Sequence, residues 1–150
     1  MKRKNAPALR IRRARAGDTS GIAALCGQLG YPASEAEMTA HLKQVLRQKN
    51  GACFVAEARG RDVIGWVHVS FRPLLEVDRR AEIDGIIVDE NARSTGVGAR
   101  LLTEAEKWAK RMGCKGVSLR SNIIRDKAHE FYIRQGYEHY KTQKAFRKIF

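Results

Sequence analysis

Residues 88–102 read VDENARSTGVGARLL: the end of an apolar run, an arginine, two hydroxyl residues, then two glycines one residue apart ahead of a helical pattern. A loop of small residues between a strand and a helix exposes consecutive backbone N–H groups, here Ser94 to Ala99. Such donors, with the positive end of the helix behind them, bind anions. Arg93 stands just before them as a charge-assisted phosphate donor. The plain alternative is a strand-to-helix turn whose glycines serve geometry alone. Two common nucleotide motifs do not fit. A P-loop ends in Gly-Lys-Ser/Thr, whereas Ala99 and Arg100 follow Gly98. A dinucleotide fingerprint needs a third glycine where this chain has Leu101, and it opens a repeated βαβ array instead of following three antiparallel strands. His41, His68, His129 and His139 show no ligand spacing with one another or with Cys26, Cys53 and Cys114, so neither a metal centre nor a Cys–His nucleophile is expected.

Hydrophobic periodicity supplies the elements that must position the loop. LRIRRA (9–14) alternates as a strand, and Asp18 or Thr19 can cap a helix carrying Ile22, Leu25, Cys26 and Leu29. A second helix starts at the capping-box pair Ser34 and Glu37, with Met38, Leu42, Val45 and Leu46 as its stripe. ACFVAEA (52–58) and DVIGWVHVSF (62–71) form a hairpin through the turn RGR, and RRAEIDGIIV (79–88) continues the meander. Val97, Leu101, Leu102, Ala105, Trp108, Ala109 and Met112 mark a helix over 97–112 that ends at Gly113. KGVSLR (115–120) is a strand, RDKAHEFYIRQ (125–135) a helix, and YEHYKTQKAFRKIF supplies one or two terminal strands. The expected order is β-α-α-β-β-β-α-β-α-β-(β). That pattern is one α+β domain over 9–150 behind a basic tail at 1–8, with a single β-α-β crossover.

Bulk properties bound the function. With 29 Lys+Arg against 16 Asp+Glu the formal charge is +13, enough to draw polyphosphate ligands, acidic partners or nucleic acid from a distance. No aromatic or helix-borne base readers are interleaved with the charge, which argues against sequence-specific nucleic-acid recognition. Three isolated cysteines without a CxxC pair fit reduced thiols in a cytoplasmic protein. No apolar stretch approaches the ~18 residues of a membrane span, and the charged start has no signal-peptide apolar core.

Two motifs carry a resemblance to a known family. RSTGVGA (93–99) fits the Gln/Arg-x-x-Gly-x-Gly/Ala pyrophosphate-binding pattern of the GNAT acetyltransferase superfamily. SNIIRDKAHEFYIRQGY (121–137) resembles the fifth strand and fourth helix of that family, where an Asn precedes Ala-x-x-Phe/Leu-Tyr and then Gly-Tyr/Phe. The order of elements agrees from residue 9 to 150, and the likeness extends to aminoalkylphosphonate, small-amine and aminoglycoside N-acetyltransferases. It implies a mixed, mostly antiparallel sheet of six to seven strands flanked by about four helices. Acetyl-CoA would be the co-substrate, with no metal. Its pyrophosphate would sit on the amides of Ser94, Thr95, Gly96, Val97, Gly98 and Ala99 beside Arg93. Its pantetheine arm would pair with main chain near Val88, and its thioester carbonyl would lie near the Ile87 N–H. Asn122 and Phe131 of the second motif would complete the cofactor site. For this the fourth and fifth strands must splay apart, and Gly85 is a candidate bulge.

Acyl transfer to an amine needs a neutral nucleophile. An alkyl ammonium titrates near ~10, so a base that takes its proton, directly or through water, accelerates attack. Glu82, six residues before Val88, matches the general-base glutamate of the histone acetyltransferases in this superfamily. Asp84 shares its face by strand alternation and is the second candidate. Both are otherwise sheet carboxylates or partners for arginines. Tyr132 matches the tyrosine that protonates the departing sulfur in many members, a phenol of pKa near ~10 being able to donate to a thiolate of ~8.5; the alternative is a packed amphipathic tyrosine. Asn122 is otherwise a turn former. His68 lines the acceptor side or is simply half-buried.

The expected activity is therefore acetyl transfer to the primary amine of a small molecule. The arginines in SFRPLLEVDRR (70–80) suggest one bearing an anion. The competing readings are a protein N-terminal or lysine acetyltransferase, and a basic RNA- or ribosome-associated module with a regulatory CoA site. AFRKIF near the end offers an edge for a homodimer.

Overall fold

Alternation in RIRR produces β1 (Arg10–Arg13) as expected. The computed structural model describes residues 8–60 and 62–150, so residues 1–7 of the basic tail and Arg61 of the RGR turn lie outside the described residues. The chain forms two compact units, one ending at Arg120 and one spanning Ser121–Phe150.

In the first unit a 3-10 turn leads into α1 (Thr19–Gln28), and α2 (Glu35–Arg47) follows. Asp18 occupies the N-cap of α1, but its side chain makes no capping bond. It turns back to receive both terminal nitrogens of Arg12 at 2.8 Å and the Arg15 N–H at 2.7 Å. Arg12 also reaches Glu57 through Nε at 2.7 Å, so one guanidinium ties β1 to the start of α1 and to the next strand. At α2 the reciprocal cap forms as read: Ser34 N–H donates to Glu37 Oε2 at 2.9 Å and Glu37 N–H to Ser34 Oγ at 3.1 Å. Leu42 is buried and Met38 and Val45 pack beside it, whereas Leu46 is exposed, so the stripe is one residue narrower than expected.

Strands β2 (Gly51–Glu57), β3 (Val63–Phe71), β4 (Ala81–Val88) and β5 (Val117–Leu119) complete a sheet in the order β1-β2-β3-β4-β5. The first three pairings are antiparallel, and β4–β5 is parallel across α3 (Val97–Arg111), the expected crossover. On one face α1 and α2 cover Cys53, Val55, Trp66 and Ile87. On the other, α3 lays Val97, Leu101 and Trp108 against Gly65, Phe71 and neighbouring strand residues. Strand β2, buried on both sides, is the continuous apolar run its sequence suggests.

In the second unit α4 (Asp126–Arg134) ends at Gly136, whose φ of +88° suits glycine. No strand forms beyond it among the described residues, so the sheet has five strands and not six or seven. The reason lies in the pattern: Tyr140, Phe146, Ile149 and Phe150 do not alternate at period two, and all four stay exposed. A segment with no buried face has nothing to offset the cost of ordering it as a strand. The AFRKIF edge expected for a homodimer is accordingly not a strand.

Candidate active site

The glycine loop runs from the end of β4 through a 3-10 turn at Glu90–Ala92 into α3. Ser94 holds a φ of +62° and Gly96 a φ of +89°. Alternation of left-handed with ordinary residues turns successive N–H groups to one side, the geometry of an anion-binding nest. Arg100 N–H is the donor bonded to Gly96 O, at 3.1 Å, so Val97, Gly98 and Ala99 present the first amides of the helix. Residues 93–96 are exposed, while the Val97 side chain is buried and anchors the turn. Thr95 Oγ1 donates to Ala92 O, and Arg93 Nε folds back to Val88 O at 3.2 Å.

Two contacts from distant parts of the chain hold this loop. Gln28, the last residue of α1, donates to Asp89 Oδ2 at 3.1 Å and accepts the Glu90 N–H at 3.1 Å. That bond and the Asn91 N–H hold the Asp89 carboxyl below its usual range. Gly65 lets α3 approach: a Cβ there would lie 3.0 Å from Ile87 O and 3.0 Å from Leu101 Cδ1. Sequence offered no signal for Gln28, because its partner lies some sixty positions away; Gly65 is a glycine inside a strand pattern, which does mark close approach.

Pairing between β4 and β5 stops at Ile83 and Leu119. From Asp84 to Val88 the strand therefore has β3 on one side and no partner strand in this unit on the other, an open edge of the kind an added extended ligand requires. The bulge comes one residue before the expected glycine. Ile83 pairs with Val69 and Gly85 with His68, leaving Asp84 as the extra residue. Gly85 is required there for another reason: a Cβ would meet the Trp66 ring at 2.8 Å. Past the bulge the faces exchange, so Ile87 lies opposite Trp66 in the α1/α2 core instead of following Ile83 to the α3 side.

Glu82 and Asp84 do share a face, as read. Glu82 lies opposite Ser70, and Asp84 Oδ2 accepts from Ser70 Oγ at 2.5 Å. Their partners differ. Glu82 Oε1 receives Nε and Nη2 of Arg120, both at 2.8 Å. Asp84 Oδ2 stands 3.8 Å from His68 Nε2, which is itself 3.1 Å from Gln48 Oε1. Burial lowers the His68 pKa below the ordinary imidazole value, and the Asp84 charge opposes that shift. Gln48 and Ser70 also line a cleft of about 350 Å³ with Lys49, Asn50, Phe71 and Arg72. Arg79, one of the arginines expected to face an anionic acceptor, instead caps Met112 O at 3.0 Å and stacks over Phe71.

In the second unit, Tyr132 packs between Phe131 and Tyr137, with centroid distances of 5.3 and 6.2 Å. Burial raises its phenol above the ordinary value, so it keeps its proton at neutral pH. Asn122 Oδ1 accepts from Ile124 N–H at 3.2 Å, the turn-forming geometry, and its main-chain carbonyl meets His129 Nε2 at 2.9 Å.

The sequence profile described as the Acetyltransferase (GNAT) family matches residues 21–137. The chain belongs to that family. The aminoalkylphosphonate N-acetyltransferase of Salmonella typhimurium is 29% identical, over 93% of this chain and 92% of its own length. An uncharacterized N-acetyltransferase of Methanocaldococcus jannaschii is 30% identical over 73% of this chain, which spans only 49% of that protein. Among solved structures, an aminoglycoside N-acetyltransferase in complex with CoA superposes with a TM-score of 0.85 at 20% identity, covering 97% of this chain and 98% of the other. As a GNAT N-acetyltransferase, the chain has its amide nest, its unpaired β4 edge and its β4 carboxylates on consecutive parts of one strand-loop-helix unit. No helix among the described residues is long and apolar enough to cross a membrane.

Proposed function

We propose that this chain transfers an acetyl group from acetyl-CoA to the primary amine of a small molecule by direct attack, in the cytoplasm. The observation that carries the reading is the unpartnered stretch of β4 from Asp84 to Val88 running into the amides of Ser94 to Ala99. A long ligand with an extended amide-bearing arm and a pyrophosphate matches both parts: main chain of Ile87 and Val88 for the arm, the nest for the phosphates. Acetyl-CoA supplies an activated thioester acyl group. The protein's residues hold and orient it, and Arg93 swings from Val88 O to the phosphates.

Glu82 and Asp84 supply the negative charge that draws a proton from the acceptor ammonium. Arg120 already holds Glu82, so Asp84, on the bulge and beside the cleft, is the better placed of the two. Tyr132 is assigned the leaving sulfur by its place in the sequence motif, and its raised pKa keeps the needed proton in place. Asn122 and Phe131 are assigned to the cofactor by the same motif. Lys49 and Arg72 at the cleft suit an acceptor that carries an anion, and the named substrate class of the Salmonella relative is an amine of that kind.

The test has two stages. Millimolar acetyl-CoA should raise the melting temperature, since a ligand of the native state must stabilise it. Incubation with a mixed amine library and mass spectrometry should then show acetylated products, with amines bearing phosphonate or carboxylate preferred. No stabilisation and no product would remove the reading. Acetylation confined to peptide N-termini or lysines would transfer it to a protein acceptor.

A further inference from the structure

Resting on that reading, a more specific assignment concerns how the acceptor loses its proton. We propose that His68 is the proton acceptor, with Asp84 behind it as the charge that holds the imidazolium and Gln48 as the group that fixes its tautomer. Three observations converge on one side chain of β3. His68 Nε2 lies 3.1 Å from Gln48 Oε1, so the neutral ring carries its proton on Nε2 and donates it there. Nδ1 is left with a lone pair and is the basic atom. Asp84 Oδ2, 3.8 Å from Nε2, is placed where the positive charge develops, and Ser70 Oγ holds that carboxylate at 2.5 Å. Gln48, which bonds His68, and Ser70, which bonds Asp84, belong to the lining of the cleft, so the pair adjoins a space open to an acceptor.

The strand register makes the arrangement. Continuing the Glu82–Ser70 and Ile83–Val69 pairing sets Asp84 opposite His68, and Asp84 remains beside the His68–Gly85 pair as the extra residue of the bulge. Gly85, directly opposite His68, adds no side chain between them. The surroundings leave His68 neutral at pH 7: burial favours the uncharged ring, and Cys53, opposite it on β2, is a thiol whose pKa burial pushes up to about 12. Other charges in the neighbourhood are Glu82 on β4 with Arg120, one residue past β5, and Lys49 and Arg72 at the cleft.

The ammonium nitrogen must lose two protons to become an amide. The first passes to His68 Nδ1, directly or through one water, and on to solvent at the cleft. The freed lone pair then forms the C–N bond as the C–S bond breaks. The thiolate takes a proton from Tyr132, and the second proton of the nitrogen, carried by solvent, restores the phenol.

The test is the pH dependence of kcat/KM for wild type, His68→Gln and Asp84→Asn, with acetyl-CoA binding and melting temperature measured alongside. Wild type should show an acid limb below pH 6.5, because burial lowers the His68 pKa below that value. His68→Gln should lose roughly 10²-fold near neutral pH, the scale of general-base catalysis, and lose the limb. Asp84→Asn should move the limb to lower pH, since it removes the charge that favours the imidazolium, and acetyl-CoA binding should stay unchanged in both. A His68→Gln profile superimposable on wild type would overturn the relay while leaving acetyl transfer intact. If His68→Gln fails to fold, an unmoved limb in Asp84→Asn overturns it equally. Wild type that neither binds acetyl-CoA nor acetylates any amine sinks the underlying function instead.

Discussion

Two carboxylates on one face of β4 read alike in the sequence, and their partners separate them. Glu82 is engaged by Arg120, whose side chain is 75% exposed; a surface pair of this kind is worth about 0–1 kcal/mol. Asp84 stands on a bulge beside a half-buried histidine. Asp84→Asn should therefore lower kcat/KM roughly 10²-fold and Glu82→Gln less than about 10-fold. Steady-state kinetics with one acceptor decides it, and the reverse order would return the base to Glu82. Tyr132→Phe should cost about 10²-fold in kcat with acetyl-CoA affinity nearly unchanged, because only a proton donor is removed; an unaltered kcat would reduce Tyr132 to a packing residue. That Glu82 and Asp84 share a face of β4 was legible from strand alternation, whereas Glu82 as a base is what the family resemblance implies. Arg120 as a partner was not legible, since β4 and β5 meet only through a crossover.

At the scale of elements, the cradle depends on how closely α3 meets the sheet. Gly65→Ala would bring a Cβ to 3.0 Å from the Ile87 carbonyl and from the buried Leu101 side chain, so these neighbours must give by a few tenths of an ångström. The expected cost is about 1–3 kcal/mol of stability, read by denaturant unfolding, with acetyl-CoA binding weakened in parallel. A variant as stable and as tight as wild type would show that the approach is slack. Gln28→Ala should act differently: it leaves the core intact, so the melting temperature should hardly move. Acetyl-CoA affinity should still fall several-fold as the Asp89–Glu90 corner loosens. Calorimetric titration distinguishes the two. The helices and the meander were readable because periodicities of 2 and 3.6 report which face is buried. The terminal strands do not form because the segment after α4 has apolar content without a buried alternating face.

For the whole molecule, charge and the Arg12 network set the response to conditions. The net charge of +13 favours a polyanionic ligand at long range, so acetyl-CoA affinity should weaken as salt rises. Stability has its own pH signature. Arg12 holds the Asp18 carboxyl below its ordinary 3.8, so Asp18 contributes stability that is fully present above that value and is lost as pH falls through the lower folded value. Asp18→Asn should lose about 2 kcal/mol at pH 7, as charge-assisted hydrogen bonds are weakened. It should also show a shallower decline in stability below pH 4. Unfolding curves between pH 2 and 7 would reveal it; parallel curves for the two proteins would mean that the network contributes nothing to acid sensitivity.

The sequence by itself determined the element order through α4, the glycine loop at 93–99 and the two carboxylates of β4, because each depends on local periodicity or on a short contiguous motif. Tertiary structure alone decided that β4 and β5 part after Ile83 and that Asp84 is the bulged residue beside His68. It also decided that Gln28 braces the loop and that Arg12 joins Asp18 to Glu57. These are meetings of residues far apart in the chain, and strand register and helix docking that bring them together follow from burial of the entire sheet, not from any one segment.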